Sequence, residues 1–89
     1  MKIRIGLVDD HQLFRKSVSL MLQSFGFEVV VDANHGKELQ EKFLKLNPLP
    51  DIMLIDVEMP IMNGFETASW IRQAHPSIRT VALSMNDKE

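Results

Sequence analysis

Read from its N-terminus, the chain alternates two hydrophobic patterns. Residues 2–8, KIRIGLV, form a β-branched and apolar run interrupted by Gly6 and closed by Asp9 and Asp10. From His11 the spacing turns helical: Phe14, Val18, Met21, Leu22 and Phe25 recur at i, i+4, i+7, i+8 and i+11, one stripe of a helix. Gly26 is placed to end that helix in a left-handed cap. Residues 27–33, FEVVVDA, read as a second strand. Residues 36–47, GKELQEKFLKLN, read as a second helix with Leu39, Phe43 and Leu46 on one face and Pro48 ending it. A loop, NPLP, leads to a third strand, DIMLID (51–56), in which the unbroken run Ile52 to Ile55 stops at a carboxylate, Asp56. A turn containing Pro60 and Gly64 opens a third helix, FETASWIRQA, with Phe65, Ala68 and Ile71 on a shared face. That helix ends at His75, because a residue before proline is pushed away from helical angles. Residues 78–85, IRTVALSM, read as a fourth strand.

Strands that are nearly continuous apolar runs, alternating with helices, imply a parallel sheet with helices on both faces. The crossovers of such sheets are right-handed. Ligands bind outside the carboxyl ends of the strands, where strand order reverses. Asp9 and Asp10 stand at the carboxyl end of the first strand and Asp56 at that of the third. In the flavodoxin-like order these strands are neighbours and the three acids converge. Three negative charges brought together need a proton or a cation to compensate them. A hard divalent ion such as Mg²⁺, which takes carboxylates, water and phosphate oxygens, answers that need and makes the trio a phosphate-handling site. Taken singly, Asp10 reads equally as the N-cap of the first helix and Asp56 as a turn residue before Pro60; the coincidence of all three carries the signal.

Composition narrows the field. Eighty-nine residues make at most one small domain. With 45% hydrophobic and 25% charged residues the chain is expected to fold rather than stay disordered. Ten basic against twelve acidic residues, without a Lys/Arg cluster, argue against nucleic-acid binding through these residues. The absence of cysteine removes disulfides and thiolate metal sites and suits a reducing cytoplasm. No apolar run approaches the roughly 20 residues of a membrane span, so no membrane role is expected. His11, His35 and His75 lack metal-ligand spacing and are assigned solvated or loop roles; His11 adjoins the acidic pair but receives no catalytic role. The six methionines and Trp70 read as packing residues, and Lys37, Glu38, Glu41, Lys42 and Lys45 as a solvated helix face.

The pairing of LVDDHQLFRKSV with LIDVEMPIMNGFE and ALSM resembles the receiver domain of bacterial two-component response regulators. VDDH at the first strand and LSMND after the fourth are most similar to the subfamily carrying LuxR-type helix-turn-helix output domains. The resemblance runs from Lys2 to Asp87. It implies that Asp56 is the phosphoacceptor, a carboxylate nucleophile taking a phosphoryl group from a histidine kinase. It makes Asp10 a direct Mg²⁺ ligand, lets Asp9 act through water or position Asp10, and adds the backbone carbonyl of Glu58. Ser84 becomes the switch hydroxyl, and Pro60 and Gly64 shape the loop beneath the site, Gly64 standing where a side chain would clash or φ is positive.

The resemblance also implies a lysine at the end of a fifth strand. Too few residues follow Ser84 for another crossover, so Lys88 is not that lysine. The expectation is a receiver domain over residues 1–89, truncated after the fourth strand: flavodoxin-like, strand order 2-1-3-4, lacking the fourth helix, fifth strand and fifth helix. Its fourth strand becomes an exposed edge open to homodimer pairing or strand exchange. The favoured function is a phosphorylation-dependent, cytoplasmic signalling switch with no turnover of its own beyond self-phosphotransfer, controlling a DNA-binding output in a parent protein. Two alternatives stand beside it. One is a phospho-independent interaction module with a relic acidic site. The other is an aspartate-based phosphohydrolase, disfavoured because enzymes resembling the haloacid dehalogenase group carry a second Asp where this chain has Glu58.

Overall fold

The structure, a computed structural model, describes residues 2–57 and 62–83. In chain order the elements are β1 (Arg4–Val8), α1 (Gln12–Ser24), β2 (Glu28–Ala33), α2 (Gly36–Phe43), β3 (Ile52–Asp56), α3 (Gly64–Ala74) and β4 (Arg79–Leu83). The four strands form one parallel sheet in the order β2-β1-β3-β4, the expected doubly wound arrangement. β1 and β3 are central, with Val8 opposite Ile55, and β4 continues outward with Leu83 opposite Asp56. None of the described helices is long and apolar enough to cross a membrane.

Successive strand residues point to opposite faces, and the two faces are covered differently. Val8, Val31, Ala33, Met53 and Ile55 pack with Leu39 and Phe43 of α2 and Ile71 of α3 in one apolar cluster. Leu7 and Leu54, on the other side, meet Phe14 and Val18 of α1. Gly6 belongs to the α2–α3 side, where a Cβ would run into the Met53 sulfur and Val31.

The helical stripes are narrower than their periodicity suggests. Phe14, Val18 and Leu22 are half-buried, but Met21 and Phe25 are exposed. Phe65 is likewise exposed, and the buried face of α3 is Gly64, Thr67 and Ile71. Helix α2 stops at Phe43, short of Pro48: Leu44, Lys45 and Leu46 donate to the carbonyls of Glu41, Lys42 and Phe43 in tighter i→i−3 turns. Those turns still bring Leu46 against the core.

Two ends follow the sequence closely. Gly26, at φ 95°, closes α1 in a Schellman motif, with Phe27 N–H donating to Leu22 O at 3.1 Å and Gly26 N–H to Gln23 O at 3.0 Å. Helix α3 ends at Ala74 with His75 as its cap. His75 is packed edge-on against Phe43 and Trp70, with ring centroids 5.3 and 5.6 Å away. It is therefore a packing residue, as Trp70 is.

Candidate functional site

The site is a product of register. Asp9 directly follows β1, Asp56 is the last residue of β3, and the pairing of Val8 with Ile55 sets the two side by side. The Asp9 N–H donates to Ala33 O at 3.1 Å and the Val57 N–H to Leu83 O at 3.3 Å, so the ladder continues on both sides of the acids. Asp9 and Asp56 are each 2% exposed, whereas Asp10 faces solvent. Ligand atoms of Asp9, Asp10, His11 and Asp56 lie within 4.8 Å of one another. The expected trio is assembled, and a histidine joins it.

Asp10 is not the N-cap of α1; His11 is, and its side chain makes no capping bond. The backbone N–H of His11 donates to Asp9 Oδ1 at 2.7 Å, a local turn closed by the carboxylate. The His11 ring is 63% exposed, yet its Nδ1 stands 3.1 Å from Asp10 Oδ1 and 3.3 Å from Asp9 Oδ1. Asp9 Oδ2 is buried without a hydrogen-bond donor among the described residues. A buried carboxylate oxygen left in this state is costly, and a divalent cation held by hard oxygen donors relieves that cost. The residues fit such an ion.

Gly64 brings α3 against the acceptor strand. A Cβ there would collide with the Asp56 carbonyl oxygen and the Val57 Cα, so close approach, rather than a positive φ, requires glycine. The helix start is fixed by a reciprocal capping box between Asn63 and Glu66. Met62 before it adopts φ 56°, and Thr67 Oγ1 donates to the Met62 and Asn63 carbonyls at 3.1 and 2.9 Å. Glu58, Pro60 and Ser84 lie outside the described residues, so the expectations placed on them stay open.

Sequence reasoning passed over Arg15. Its guanidinium, buried on the sheet side of α1, donates to the carbonyls of Asp9 and Ala33 and to Asn34 Oδ1, and its Nε lies 3.4 Å from Asp32 Oδ1. It ties the ends of β1 and β2 together just behind the acids. Asn34 N–H and Nδ2 in turn donate to Glu38 Oε1 at 2.7 and 3.0 Å, and Glu38 Oε2 pairs with Lys42 at 3.2 Å. The hydrogen bond from the Asn34 backbone, aided by Lys42 and the Asn34 amide, holds the Glu38 carboxyl below its usual range against the opposing effect of burial. Glu38 and Lys42 are thus more than a solvated face. The one signal for Arg15 in the sequence is that it lies next to Phe14 on the sheetward side of the helical wheel.

A family model described as the response regulator receiver domain matches residues 5–89. The chain is 40% identical over 89 residues to a transcriptional regulatory protein, DegU, of Brevibacillus brevis, covering 99% of this chain and 37% of that one. It is 32% identical over 81 residues to the chemotaxis protein CheY of Thermotoga maritima, covering 91% of this chain and 66% of that one. Among solved structures, a LuxR-family two-component response regulator from Aurantimonas sp. superposes with a TM-score of 0.85 at 28% identity, covering 98% of this chain and 61% of the other. The CheX-CheY-BeF3-Mg+2 complex from Borrelia burgdorferi gives a TM-score of 0.86 at 29% identity, covering 98% and 65%. The chain spans 37 to 40% of the length of the first curated relatives it matches.

Proposed function

The chain belongs to the response regulator receiver domain family, and from that premise we propose that it is a phosphorylation-dependent switch whose acceptor is Asp56. The observation that supports this reading most is the convergence of Asp9, Asp10 and Asp56 at the carboxyl edge of two adjacent parallel strands. A carboxylate oxygen of Asp56 attacks the phosphorus of a phosphohistidine on a histidine kinase. The new O–P bond forms as the N–P bond breaks, and the electron pair returns to the imidazole nitrogen. Asp9 and Asp10, with Asp56 and the Glu58 carbonyl, hold Mg²⁺ in this reading. When bound, that ion neutralises charge on the phosphoryl oxygens. Gly64 leaves the acceptor's carbonyl in contact with α3, and Ser84 follows β4 as the hydroxyl that answers the phosphoryl group.

The same reading places the chain in the cytoplasm, as a regulatory unit over residues 1–89 that transfers a phosphoryl group to itself and does no other chemistry. A DNA-binding output belongs to a parent protein. It also places a second copy along β4, an outer strand whose Val81 and Ala82 are exposed. Light scattering at rising concentration reads that pairing as a mass doubling, and a constant monomer mass removes it. The comparisons favour neither the phospho-independent module nor the phosphohydrolase.

The central test exposes the folded chain to a small phosphodonor with saturating Mg²⁺. A covalent phosphoryl adduct mapped to Asp56 and missing from Asp56→Asn is expected. An unmodified chain, or an adduct that survives in Asp56→Asn, overturns the assignment. Trp70 is a poor reporter, since its ring packs with Phe43 and His75 about 9 Å along α3 from Gly64. Backbone resonances of Asp9, Asp10 and Val57 are the better readout.

A further inference from the structure

Among the described residues, Met62 is the one non-glycine residue with a positive φ, at 56°. A long side chain stays in that region where its surroundings impose it, and here the imposing group can be named. Thr67 is fully buried, and its hydroxyl donates to Met62 O at 3.1 Å and to Asn63 O at 2.9 Å. The bond to Asn63 is the back-bond a threonine commonly makes one turn down its own helix, and the Thr67 N–H already meets that carbonyl at 2.9 Å. The bond to Met62 is of another kind. It reaches five residues back, out of α3, to the peptide that follows the positive φ.

Two other elements close on this hydroxyl. Gly36 is the buried first residue of α2, and a Cβ there would collide with Thr67 Oγ1 and with Cγ and Sδ of Met62. Gly64 is the first residue of α3, and a Cβ there would collide with the Asp56 carbonyl oxygen and the Val57 Cα. The turn at Met62 therefore lies two residues before the point where α3 rests on the acceptor strand. A hydroxyl that fixes the Met62 peptide also fixes how α3 is seated there. Without it, a part-buried carbonyl loses this donor, and the peptide is free to turn out of its unfavoured geometry.

We infer that Thr67 is a positioning residue for the acceptor: its hydroxyl keeps the Met62 peptide in the turn that seats α3 against Asp56, and the rate of phosphoryl uptake depends on that hydroxyl. The inference rests on the reading of Asp56 as acceptor. Thr67 acts through Met62 and Gly64, and the shape of its side chain is not what matters.

The test compares the full chain with Thr67→Val, which keeps the shape and removes the hydroxyl, and with Thr67→Ser, which keeps the hydroxyl. Circular dichroism first establishes that each is folded; Thr67→Ala replaces the valine variant if that one is not. With a small phosphodonor and saturating Mg²⁺, adduct formation at Asp56 is expected to slow about tenfold in Thr67→Val and to stay within about twofold of the parent in Thr67→Ser. The Val57 and Gly64 amide resonances are expected to shift in the first variant and to hold in the second. A valine variant that reacts at the parent's rate overturns the inference, whatever its stability. So does a serine variant as slow as valine, since shape would then be the cause. A parent chain that takes up no phosphoryl group removes the acceptor reading alone; the amide resonances still decide the seating of α3, and unshifted Val57 and Gly64 in Thr67→Val overturn it.

Discussion

On the α2–α3 side of the sheet, Val8, Ala33, Leu39, Met53, Ile55 and Ile71 close into an apolar layer with almost no exposure. On the α1 side, the only buried residue of the helix is a charged one, Arg15, flanked by half-buried Phe14 and Val18. The first face holds the chain together by area removed from water. The second holds positions: the Arg15 guanidinium ties the Asp9 and Ala33 carbonyls to Asn34, fixing the strand ends from which the acids project. One small domain has divided stability and site geometry between the two sides of its sheet.

The largest effect that tests this division comes from matched truncations. Ile71→Ala empties a fully buried site on the apolar side and is expected to cost about 3 kcal/mol. Val18→Ala on the α1 side removes half-buried atoms and is expected to cost about 1 kcal/mol. Urea unfolding of both variants checks the ranking, and equal losses would mean that α1 carries as much of the core as α2 and α3. For a chain this short, with little stability in reserve, the first variant is to be measured at low temperature.

The apolar side was the legible one. Continuous apolar runs announce strands buried on both faces, and the acids at the ends of β1 and β3 could be placed together before any contact was known. Periodicity says which residues share a helical face, not how wide the covered part of it is. Met21, Phe25 and Phe65 were therefore assigned inward and stand exposed. Arg15 failed for the opposite reason: a charged residue in an amphipathic pattern reads as solvated, and its burial depends on three acceptors from Asp9, Ala33 and Asn34 that only the folded chain gathers. His35, expected in a solvated or loop role, caps α2 instead, and a histidine cap leaves no common capping signature in a sequence.

Arg15→Met sharpens the comparison at the next magnitude. Methionine fills much of the volume, so the loss measured is that of donors to buried oxygens, about 2 kcal/mol. The Asp9 and Asn34 amides are expected to exchange with deuterium faster in this variant, while Met53 in the apolar layer keeps its protection. Arg15→Lys should recover only part of the loss, because an ammonium that replaces Nη1 leaves no second nitrogen for Asp32 Oδ1, which Arg15 Nε faces at 3.4 Å. Uniformly faster exchange across the sheet would show that Arg15 is an ordinary stability residue, with no special hold on the acidic edge.

The smallest effect lies where the two sides meet. Asn34 accepts from Arg15 of α1 at 2.9 Å and donates to Glu38 of α2 at 2.7 and 3.0 Å, so Glu38 couples α2 to the polar side, beside Lys42, which donates to Asp32 O at 2.7 Å. The Glu38 carboxyl titrates below the ordinary value of 4.5 in the folded chain, chiefly through the Asn34 backbone bond. A folded value below the unfolded one means that the carboxylate stabilises the fold at pH above the ordinary value. That contribution fades as pH falls through the ordinary value and then through the lowered one. Glu38→Gln is accordingly expected to be less stable than the parent near pH 7, by less than about 1 kcal/mol because the group is partly solvated. The two should converge in acid, as the parent's Glu38 takes up its proton. Urea midpoints for both proteins across that range check the sign. A gap that stays constant down to the most acidic point would show that Glu38 acts through its shape and amide-like hydrogen bonding, and that its charge does not couple α2 to the Arg15 side.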